Sequence, residues 1–237
     1  MIPSMPPLPA ALTEGLVAPG AGLLKRGRTR AQLVQAAIQV FSARGVTAAT
    51  MQEIAAVAGM TTGTVYNHFK TKEEVASGVA VLLAESLCRR IADSQALVKE
   101  GAQRMAIGNQ RYIWLARESP AWALMMLDVS VVAPELLLAI RDYALADLRL
   151  GVRQKSFRVP SEAAAMDLIN GSVAQAMRSV ALGLAPASHA RDVATCVLRG
   201  LGMSPADAAD VAQRPLPPFP ALGELPTARR ARNERPV

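Results

Sequence analysis

The chain has 237 residues, of which 51% are hydrophobic and 4% aromatic, and it carries a net charge of +7. This length supplies ample apolar material for one large domain or two smaller ones, and the many alanines and leucines favour helices. No uncharged apolar stretch reaches the length of a membrane span, and the proline-rich N-terminus lacks the basic start of a signal peptide. We therefore expect a cytoplasmic protein without a membrane partner.

The net charge is concentrated at the two ends of the chain. Residues 1–80 carry seven basic and four acidic side chains, and residues 214–237 carry five and two, a net of +3 in each case. The central residues 81–213 carry fourteen and thirteen, a net of +1. A basic N-terminal segment beside a nearly neutral body is typical of a phosphate-binding module attached to a second domain. The basic C-terminal segment is predicted to be only a solvated tail.

The chain begins and ends with segments that lack helical periodicity. Residues 1–27 are rich in proline, glycine and alanine, and residues 214–237 are rich in proline and arginine. Both are predicted to be disordered. No alternating strand pattern bounded by turns appears between them, so the fold class is predicted to be all-α.

Three capping boxes in quick succession organise residues 28–80 into helices. They are Thr29-x-x-Gln32, Thr50-x-x-Glu53 and Thr71-x-x-Glu74. Each predicts a helix start, because the threonine hydroxyl and the glutamate or glutamine side chain satisfy free backbone N–H groups. Gly45 and Gly59 are predicted to end the first and second helices, and Thr61 to cap a short third helix that runs to about residue 70. The fourth helix is predicted to run from about residue 72 to residue 94.

The second and third predicted helices are short and are joined by a glycine-containing turn, an arrangement typical of a helix-turn-helix. The third helix begins with Thr61-Thr62-Gly63-Thr64, whose hydroxyls suit phosphates or base edges. Val65 and Phe69 are predicted to be core residues. Tyr66, Asn67, His68, Lys70 and Lys72 follow on the exposed sides, and they offer polar groups that can fix a protein on a duplex.

The run IAAVAGMTTGTVYNHFKTKEEV, residues 54–75, resembles the signature of the tetracycline-repressor-like (TetR) family. The shared features are an Ile-Ala pair, Ala-Gly, a threonine cap, Gly-Thr-hydrophobic-Tyr, His-Phe and a closing Lys-Glu. Val65 stands where leucine is usual, and Thr71 where serine is usual. The resemblance covers roughly residues 29–80. It implies a helix-turn-helix over residues 28–80 that binds double-stranded operator DNA, and a helical body over 81–213 that binds a small molecule and forms a homodimer.

The resemblance also implies roles for single residues. Those expected to contact or position phosphates are Thr50, Thr64, Tyr66, His68 and Lys72, with Lys70 nearby. Those expected to reach base edges are Gln52, Thr61, Thr62, Gly63 and Asn67. Taken alone, Tyr66 is equally an ordinary half-buried ring and His68 a satisfied histidine; only the combined pattern favours contacts with DNA. The cations Lys25, Arg26, Arg28 and Arg30 are consistent both with a minor-groove arm and with a solvated segment.

Prolines at the seams between apolar blocks divide the body into further helices. These are predicted near residues 81–94, 97–118, 120–127, 134–156, 161–183, 188–201 and 204–213. The resemblance implies that helices 161–183 and 188–201 pair with their copies in a second subunit. Small residues would permit close approach there, namely Ala165, Gly171, Ser172 and Ala174. A homodimer would explain how one protein binds a palindromic operator.

Large, adaptable side chains of the body are candidates for the wall of a ligand pocket. They are Trp114, Trp122, Met125, Met126, Tyr143, Met166, Asn170 and Met177. Methionine suits a pocket that tolerates several ligands, although each of these residues is equally consistent with plain core packing. Arg111 and Arg178 are expected at the surface rather than facing an acidic ligand. The resemblance implies that ligand binding moves the fourth helix and so releases the operator.

The sequence offers little for an enzyme. His68 and His189 are the two histidines, and neither lies beside a nucleophile or a set of metal ligands. Cys88 and Cys196 are predicted to be buried thiols. No catalytic residues, metal or cofactor are therefore expected. Two alternatives remain open from the sequence alone: a constitutive DNA organiser without a ligand, and an activator instead of a repressor.

Overall fold

The computed structural model of the protein describes residues 8, 9, 12, 25–132 and 134–220. From residue 25 onward these ranges form ten α-helices and no strand, which confirms the predicted all-α class. The helices are α1 (Lys25–Ala48), α2 (Met51–Val57), α3 (Thr62–His68), α4 (Lys72–Ser94), α5 (Gly101–Glu118), α6 (Pro120–Val132), α7 (Pro134–Arg153), α8 (Glu162–Ala181), α9 (His189–Gly200) and α10 (Pro205–Gln213). No helix in the described ranges is both long and apolar enough to cross a lipid bilayer.

Helix α1 begins four residues earlier than predicted. The hydroxyl of Thr29 donates a hydrogen bond to the carbonyl oxygen of Lys25, 3.1 Å away, one turn back within the helix. The predicted cap at Thr29, with its capping box to Gln32, is therefore wrong, because Lys25 and Arg26 are good helix formers and extend the helix. Gly45, which was predicted to end this helix, instead kinks it with a φ of 76° that favours glycine, and the helix continues to Ala48.

The predicted disorder of residues 1–27 is wrong for the part that the structure describes. Residues 25–27 are helical, and Leu8 and Leu12 are buried in the same apolar core as Leu33 and Phe41. Two isolated leucines in a proline-rich segment have no periodicity, so their burial left no pattern in the sequence. The remaining residues of this segment lie outside the described ranges.

The other predicted caps are present. Thr50 and Glu53 form the full capping box: the Thr50 N–H donates to the Glu53 carboxylate at 3.0 Å, and the Glu53 N–H to the Thr50 hydroxyl at 3.2 Å. The hydrogen bond from the Thr50 hydroxyl lowers the pKa of Glu53. The hydroxyls of Thr61 and Thr71 accept from the third N–H of α3 and of α4, each at 3.2 Å. These bonds fix where the short helices α2 and α3 begin.

Helix α5 is the centre of the body. It packs against α4 and against every helix from α6 to α10, while α4 also packs against α1 at its other end. One apolar core continues from α1 through α4 to α6 and α8, and a second surrounds Phe157 between α5 and α10. The start of α5 touches the end of α7 so closely that a Cβ on Gly101 would collide with the backbone of Gly151. Helix α6 runs to Val132, five residues beyond its predicted end.

Residues 214–220, which we call the C-terminal strap, fold back onto the body. The guanidinium of Arg214 forms ion pairs with Glu100, at 2.6 Å, and Asp210, at 3.0 Å. The ring of Phe219 lies 5.5 Å from that of Trp114, centroid to centroid, and the guanidinium of Arg111 stacks 4.1 Å above it. The predicted disorder of the tail is therefore wrong for these residues.

Two backbone carbonyls of the strap also accept hydrogen bonds from the body. Arg111 donates to the carbonyl oxygen of Pro217 at 2.5 Å, and Arg90 donates to that of Pro220 at 2.7 Å. Arg90 belongs to α4 and Arg111 to α5, so the strap bridges these two helices. The rest of the tail, residues 221–237, lies outside the described ranges.

Candidate nucleic-acid interface and ligand cavity

Helix α3 is anchored to the protein by one face only. Val65 and Phe69 are fully buried, as predicted, and attach the helix to the core. On the other faces Gly63 and Asn67 are exposed, and 43% of Tyr66 is open to solvent. A helix held in this way presents its polar residues outward, which is the arrangement that insertion into a groove of DNA requires.

The structure brings the predicted DNA-contacting residues together on the surface formed by α2, α3 and the start of α4. The exposed members of this set are Thr50, Gln52, Thr61, Gly63, Tyr66, Asn67 and Lys70, and the half-buried members are Thr62, Thr64, His68 and Lys72. Two of the threonines contact each other, because the Thr61 and Thr64 hydroxyls lie 2.9 Å apart. This contact fixes the two hydroxyls relative to each other in the absence of DNA.

The two lysines of this surface differ in their contacts. The ammonium of Lys72 donates hydrogen bonds to the carbonyl oxygens of Thr47, at 2.7 Å, and Ala49, at 3.2 Å, at the end of α1. The ammonium of exposed Lys70 donates to the carbonyl oxygen of Tyr66, at 3.0 Å, on α3 itself. Lys72 therefore holds α1 and α4 together, whereas the Lys70 ammonium bonds only to the outward-facing helix α3, which it follows in the chain.

The four cations that were consistent with a minor-groove arm lie instead on the first turns of α1. Lys25, Arg26, Arg28 and Arg30 are all helical, so this part of the chain is not an extended arm. The guanidinium of Arg30 stacks 4.4 Å above the ring of Phe69 and covers one side of this buried anchor of α3.

A cavity of about 340 Å³ lies in the body between α4, α5, α6, α7 and α8. Four of the eight predicted pocket residues are on its wall, namely Met126, Tyr143, Asn170 and Met177. The cavity begins beside the last three turns of α4, where Cys88, Ile91 and Gln95 contribute to the wall. The same helix that starts at the helix-turn-helix therefore ends at this cavity.

The other four predicted pocket residues are not on the cavity wall. Trp122 and Met125 are buried in the core, and Trp114 packs against Phe219 of the strap. Met166 is buried in the second core and borders a smaller hollow of about 200 Å³. These bulky side chains fill the space around them, and a cavity remains only where they do not reach.

Sequence reasoning missed most of the polar groups on the wall. The carboxylate of buried Asp147 accepts from Arg104 at 2.5 Å and from the Gln95 amide at 3.0 Å. Burial raises the pKa of Asp147 above its usual range, although the charge of Arg104 opposes this shift. Asn109 and Tyr112 lie on the same face of α5 as Met105, and polar residues at this spacing in an apolar stripe were the available signal.

The arginines singled out from the sequence both lie away from the cavity wall. Arg178 is at the surface, as predicted, with a guanidinium nitrogen 3.8 Å from the carboxylate of Asp128. Arg111 is half-buried beneath the C-terminal strap, so its predicted surface position is wrong. Of the two cysteines, both are free thiols, but only Cys88 is buried. The predicted burial of Cys196 is wrong, since it lies on an outward face of α9.

The small residues predicted at a subunit interface divide between two faces of α8. Ala165 is buried in the second core and Ala174 lines the cavity, so both point into the body and neither is available to a second subunit. Gly171 is exposed, and Leu182 at the end of the helix is 55% exposed. The outward face of α8 therefore carries the residues that remain candidates for an interface.

Two family models match the chain. The model for bacterial regulatory proteins of the tetR family matches residues 33–79, and a tetracyclin repressor-like C-terminal domain model matches residues 100–214. The two matches fall on the helix-turn-helix and on the body that holds the cavity.

Curated relatives match the chain over a short stretch. The HTH-type transcriptional regulator SrpR of Pseudomonas putida is 49% identical over 51 residues, which are 22% of this chain and 24% of that protein. The HTH-type transcriptional regulator TtgR, also of Pseudomonas putida, is 41% identical over 58 residues, which are 24% of this chain and 28% of that protein. The matches thus span only about a quarter of these relatives' own length.

Solved structures resemble most of the fold. The crystal structure of RolR in complex with resorcinol superposes with a TM-score of 0.73 and 26% identity, covering 83% of this chain and 98% of that one. FadR from Bacillus subtilis, in complex with stearoyl-CoA, has a TM-score of 0.56 at 17% identity, covering 72% of this chain and 96% of that one. With both domain models matched in order and this fold shared, the chain belongs to the TetR family of bacterial regulatory proteins.

Proposed function

We propose that the protein is a cytoplasmic transcriptional repressor that binds a palindromic operator as a homodimer and releases it when a small molecule enters the body. The observation that carries this proposal is the continuity of α4. This helix of 23 residues begins at its cap beside α3 and ends at the cavity wall. Its length is about 35 Å at the usual rise per residue, enough to connect the two sites directly.

The ligand acts only through its difference in affinity for two arrangements of the dimer. In one arrangement the two α3 helices match successive major grooves on one side of the duplex; in the other, tilting of α4 separates them. The resorcinol complex of RolR supports a small-molecule site in a body of this fold. The cavity itself argues against a constitutive DNA organiser, which needs none. The proposal includes no catalytic step, cofactor or metal.

On the DNA face, Asn67 and Gln52 are the proposed readers of base edges, since amides pair well with adenine. Tyr66, Thr50 and His68 are proposed to contact phosphates and fix the register. Lys72 is proposed to act as a positioning residue, because its ammonium is already bound to α1. Thr61, Thr62, Gly63, Thr64 and Lys70 complete the proposed interface.

The test begins with selection of bound duplexes from a random pool by the full chain at low salt. Affinity for the selected site is then measured by fluorescence anisotropy at several salt concentrations. We expect Asn67→Ala to cost about 1–3 kcal/mol and to relax preference at one base position. Gln39→Ala, an exposed residue on α1, is the matched control and should change nothing. A protein that selects no duplex even at low salt would contradict the proposal.

A further inference from the structure

Two polar side chains on the cavity wall are almost completely buried. Gln95, at the end of α4, is 2% exposed, and Asn109, in the middle of α5, is 4% exposed. Within residues 25–132 and 134–220, the carbonyl oxygen of the Gln95 amide and the nitrogen of the Asn109 amide have no hydrogen-bond partner. Buried polar groups left without partners cost free energy, so a ligand that satisfies them is favoured. The two atoms themselves have almost no accessible surface, so a ligand in the cavity pairs with them once the two side-chain amides turn towards it.

The charged groups deep in the wall already satisfy one another. The Arg104 guanidinium and the Asp147 carboxylate form an ion pair at 2.5 Å, and the Gln95 amide nitrogen donates to the same carboxylate. This network is neutral overall, and it leaves one free acceptor, the Gln95 oxygen. At the mouth, Asp142 adds a negative charge. A charged ligand deep in the cavity would find no free counter-charge there, which is unfavourable, and an anion would also be repelled by Asp142.

Much of the remaining wall is apolar, and the volume of the cavity limits the size of the ligand. Ile91, Met126, Val173 and Met177 contribute hydrocarbon and thioether surface. An engineered apolar cavity of about 150 Å³ in another protein holds benzene. The cavity of about 340 Å³ found here therefore has room for a substituted single ring or a fused pair of rings.

We propose that the cavity binds an uncharged, hydroxylated ring compound, and that Asn109 and Gln95 recognise its hydroxyl groups. The Asn109 amide donates a hydrogen bond to a hydroxyl oxygen, and the Gln95 carbonyl oxygen accepts a hydroxyl proton. The claim that such a compound is the effector rests on the proposed function as a regulator. Its binding to the cavity is measured separately, without DNA.

Calorimetric titration of the full chain with three compounds that differ in one group tests the proposal. The compounds are 4-ethylphenol, ethylbenzene and 4-ethylbenzoate. We expect 4-ethylphenol to bind about tenfold more tightly than ethylbenzene, since a buried donor and acceptor gain partners, and 4-ethylbenzoate to bind least. Equal affinities for the phenol and the hydrocarbon, tightest binding of the benzoate, or no binding of any of the three would overturn the proposal.

Substitution of the free amide separates recognition from folding. Asn109→Leu removes an unsatisfied polar atom at similar volume, so the melting temperature should stay the same or rise. It should nevertheless weaken 4-ethylphenol about tenfold and leave ethylbenzene unchanged. Ser86→Ala is the matched control, because the Ser86 hydroxyl is also buried and without a partner but is not on the cavity wall.

Gln95→Met is a second variant. It too should bind 4-ethylphenol less tightly and leave the affinity for ethylbenzene unchanged. If both variants bind 4-ethylphenol as tightly as the unaltered chain, the assignment of the two amides is wrong. Operator affinity is measured separately and without ligand. If the chain binds 4-ethylphenol as expected but selects no DNA, the proposed function is contradicted and the proposed ligand class of the cavity is not.

Discussion

The sulfur of Cys88 on α4 lies 2.8 Å from the hydroxyl oxygen of Tyr112 on α5, and both residues line the cavity. This contact joins α4, whose other end meets the DNA-binding unit (α1 to α3), to α5, the central helix of the body. Burial raises the pKa of the Cys88 thiol to about 11, while the hydrogen bond with Tyr112 opposes the shift. The thiol therefore stays protonated at neutral pH and serves as a structural group.

The raised pKa predicts a slow reaction of Cys88 with alkylating reagents. At pH 8, three units below its pKa, only about 0.1% of the thiol is ionised, and the thiolate is the reactive form. We expect iodoacetamide to modify exposed Cys196 alone, as seen by mass spectrometry. In a Cys196→Ser variant the rate at which Cys88 is alkylated should be very low at pH 8, and it should rise about tenfold for each pH unit up to pH 10. The same variant unfolded in urea is the control, and equal rates in the folded and unfolded states would contradict the assignment.

The different contacts of the two lysines predict different phenotypes. Lys72→Met removes two hydrogen bonds from an ammonium to the end of α1, so unfolding free energy should fall by about 1 kcal/mol, less than for a fully buried group. Lys70→Met is the matched control for stability, since the Lys70 ammonium bonds only to the end of the neighbouring exposed helix α3. Thermal melting of both variants distinguishes them. A Lys70 variant that is the less stable of the two would refute this division.

The C-terminal strap is predicted to stabilise the body. Phe219→Ala removes a ring packed against Trp114 and Arg111, and we expect a loss of about 1–3 kcal/mol in chemical unfolding. Trp114 fluorescence should shift to the red as its ring becomes exposed. Pro218→Ala, at the exposed neighbouring position, serves as the control and should have little effect. An unchanged stability of the Phe219 variant would mean that the strap does not hold the body.

The outward face of α8 predicts where a homodimer forms. Leu182→Glu places a charge at a leucine that is 55% exposed beside this face, and we expect it to shift dimers towards monomers in sedimentation equilibrium. Leu97→Glu makes the same change at a leucine that is 84% exposed in the loop before α5, and it should leave the association state unaltered. If both variants behave alike, the interface lies on another surface.

The DNA-binding unit could be predicted closely from the sequence because its signals are local. Capping residues Thr50, Thr61 and Thr71 each accept from an N–H group three residues away, and the apolar spacing of Val65 and Phe69 specifies one face of one turn. The failed cap at Thr29 has a local cause as well, since the preceding basic residues extend the helix, and a threonine within a helix can bond one turn back.

The strap and the cavity could not be predicted in the same way. The partners of Phe219 are more than a hundred residues away in the chain, so nothing near it in sequence marks its burial. A cavity is the space that side chains leave empty, and residue size alone does not locate it. Trp122 and Met125 were candidates because they are large, and for that reason they fill the core. A polar residue within an apolar stripe, such as Asn109 on α5, was the better indicator of the cavity wall.

The bonds from Lys72 to the end of α1 make the start of α4 and the DNA-binding unit a single rigid piece. A tilt of about 5° at the cavity end of α4 would carry that piece sideways by about 3 Å, given a helix about 35 Å long. In the proposed dimer the two displacements add, changing by about 6 Å a separation that must equal one turn of the duplex, about 34 Å. A ligand therefore need not unfold any part of the protein to release it from the operator. A rotation of α4 by a few degrees in each subunit is enough.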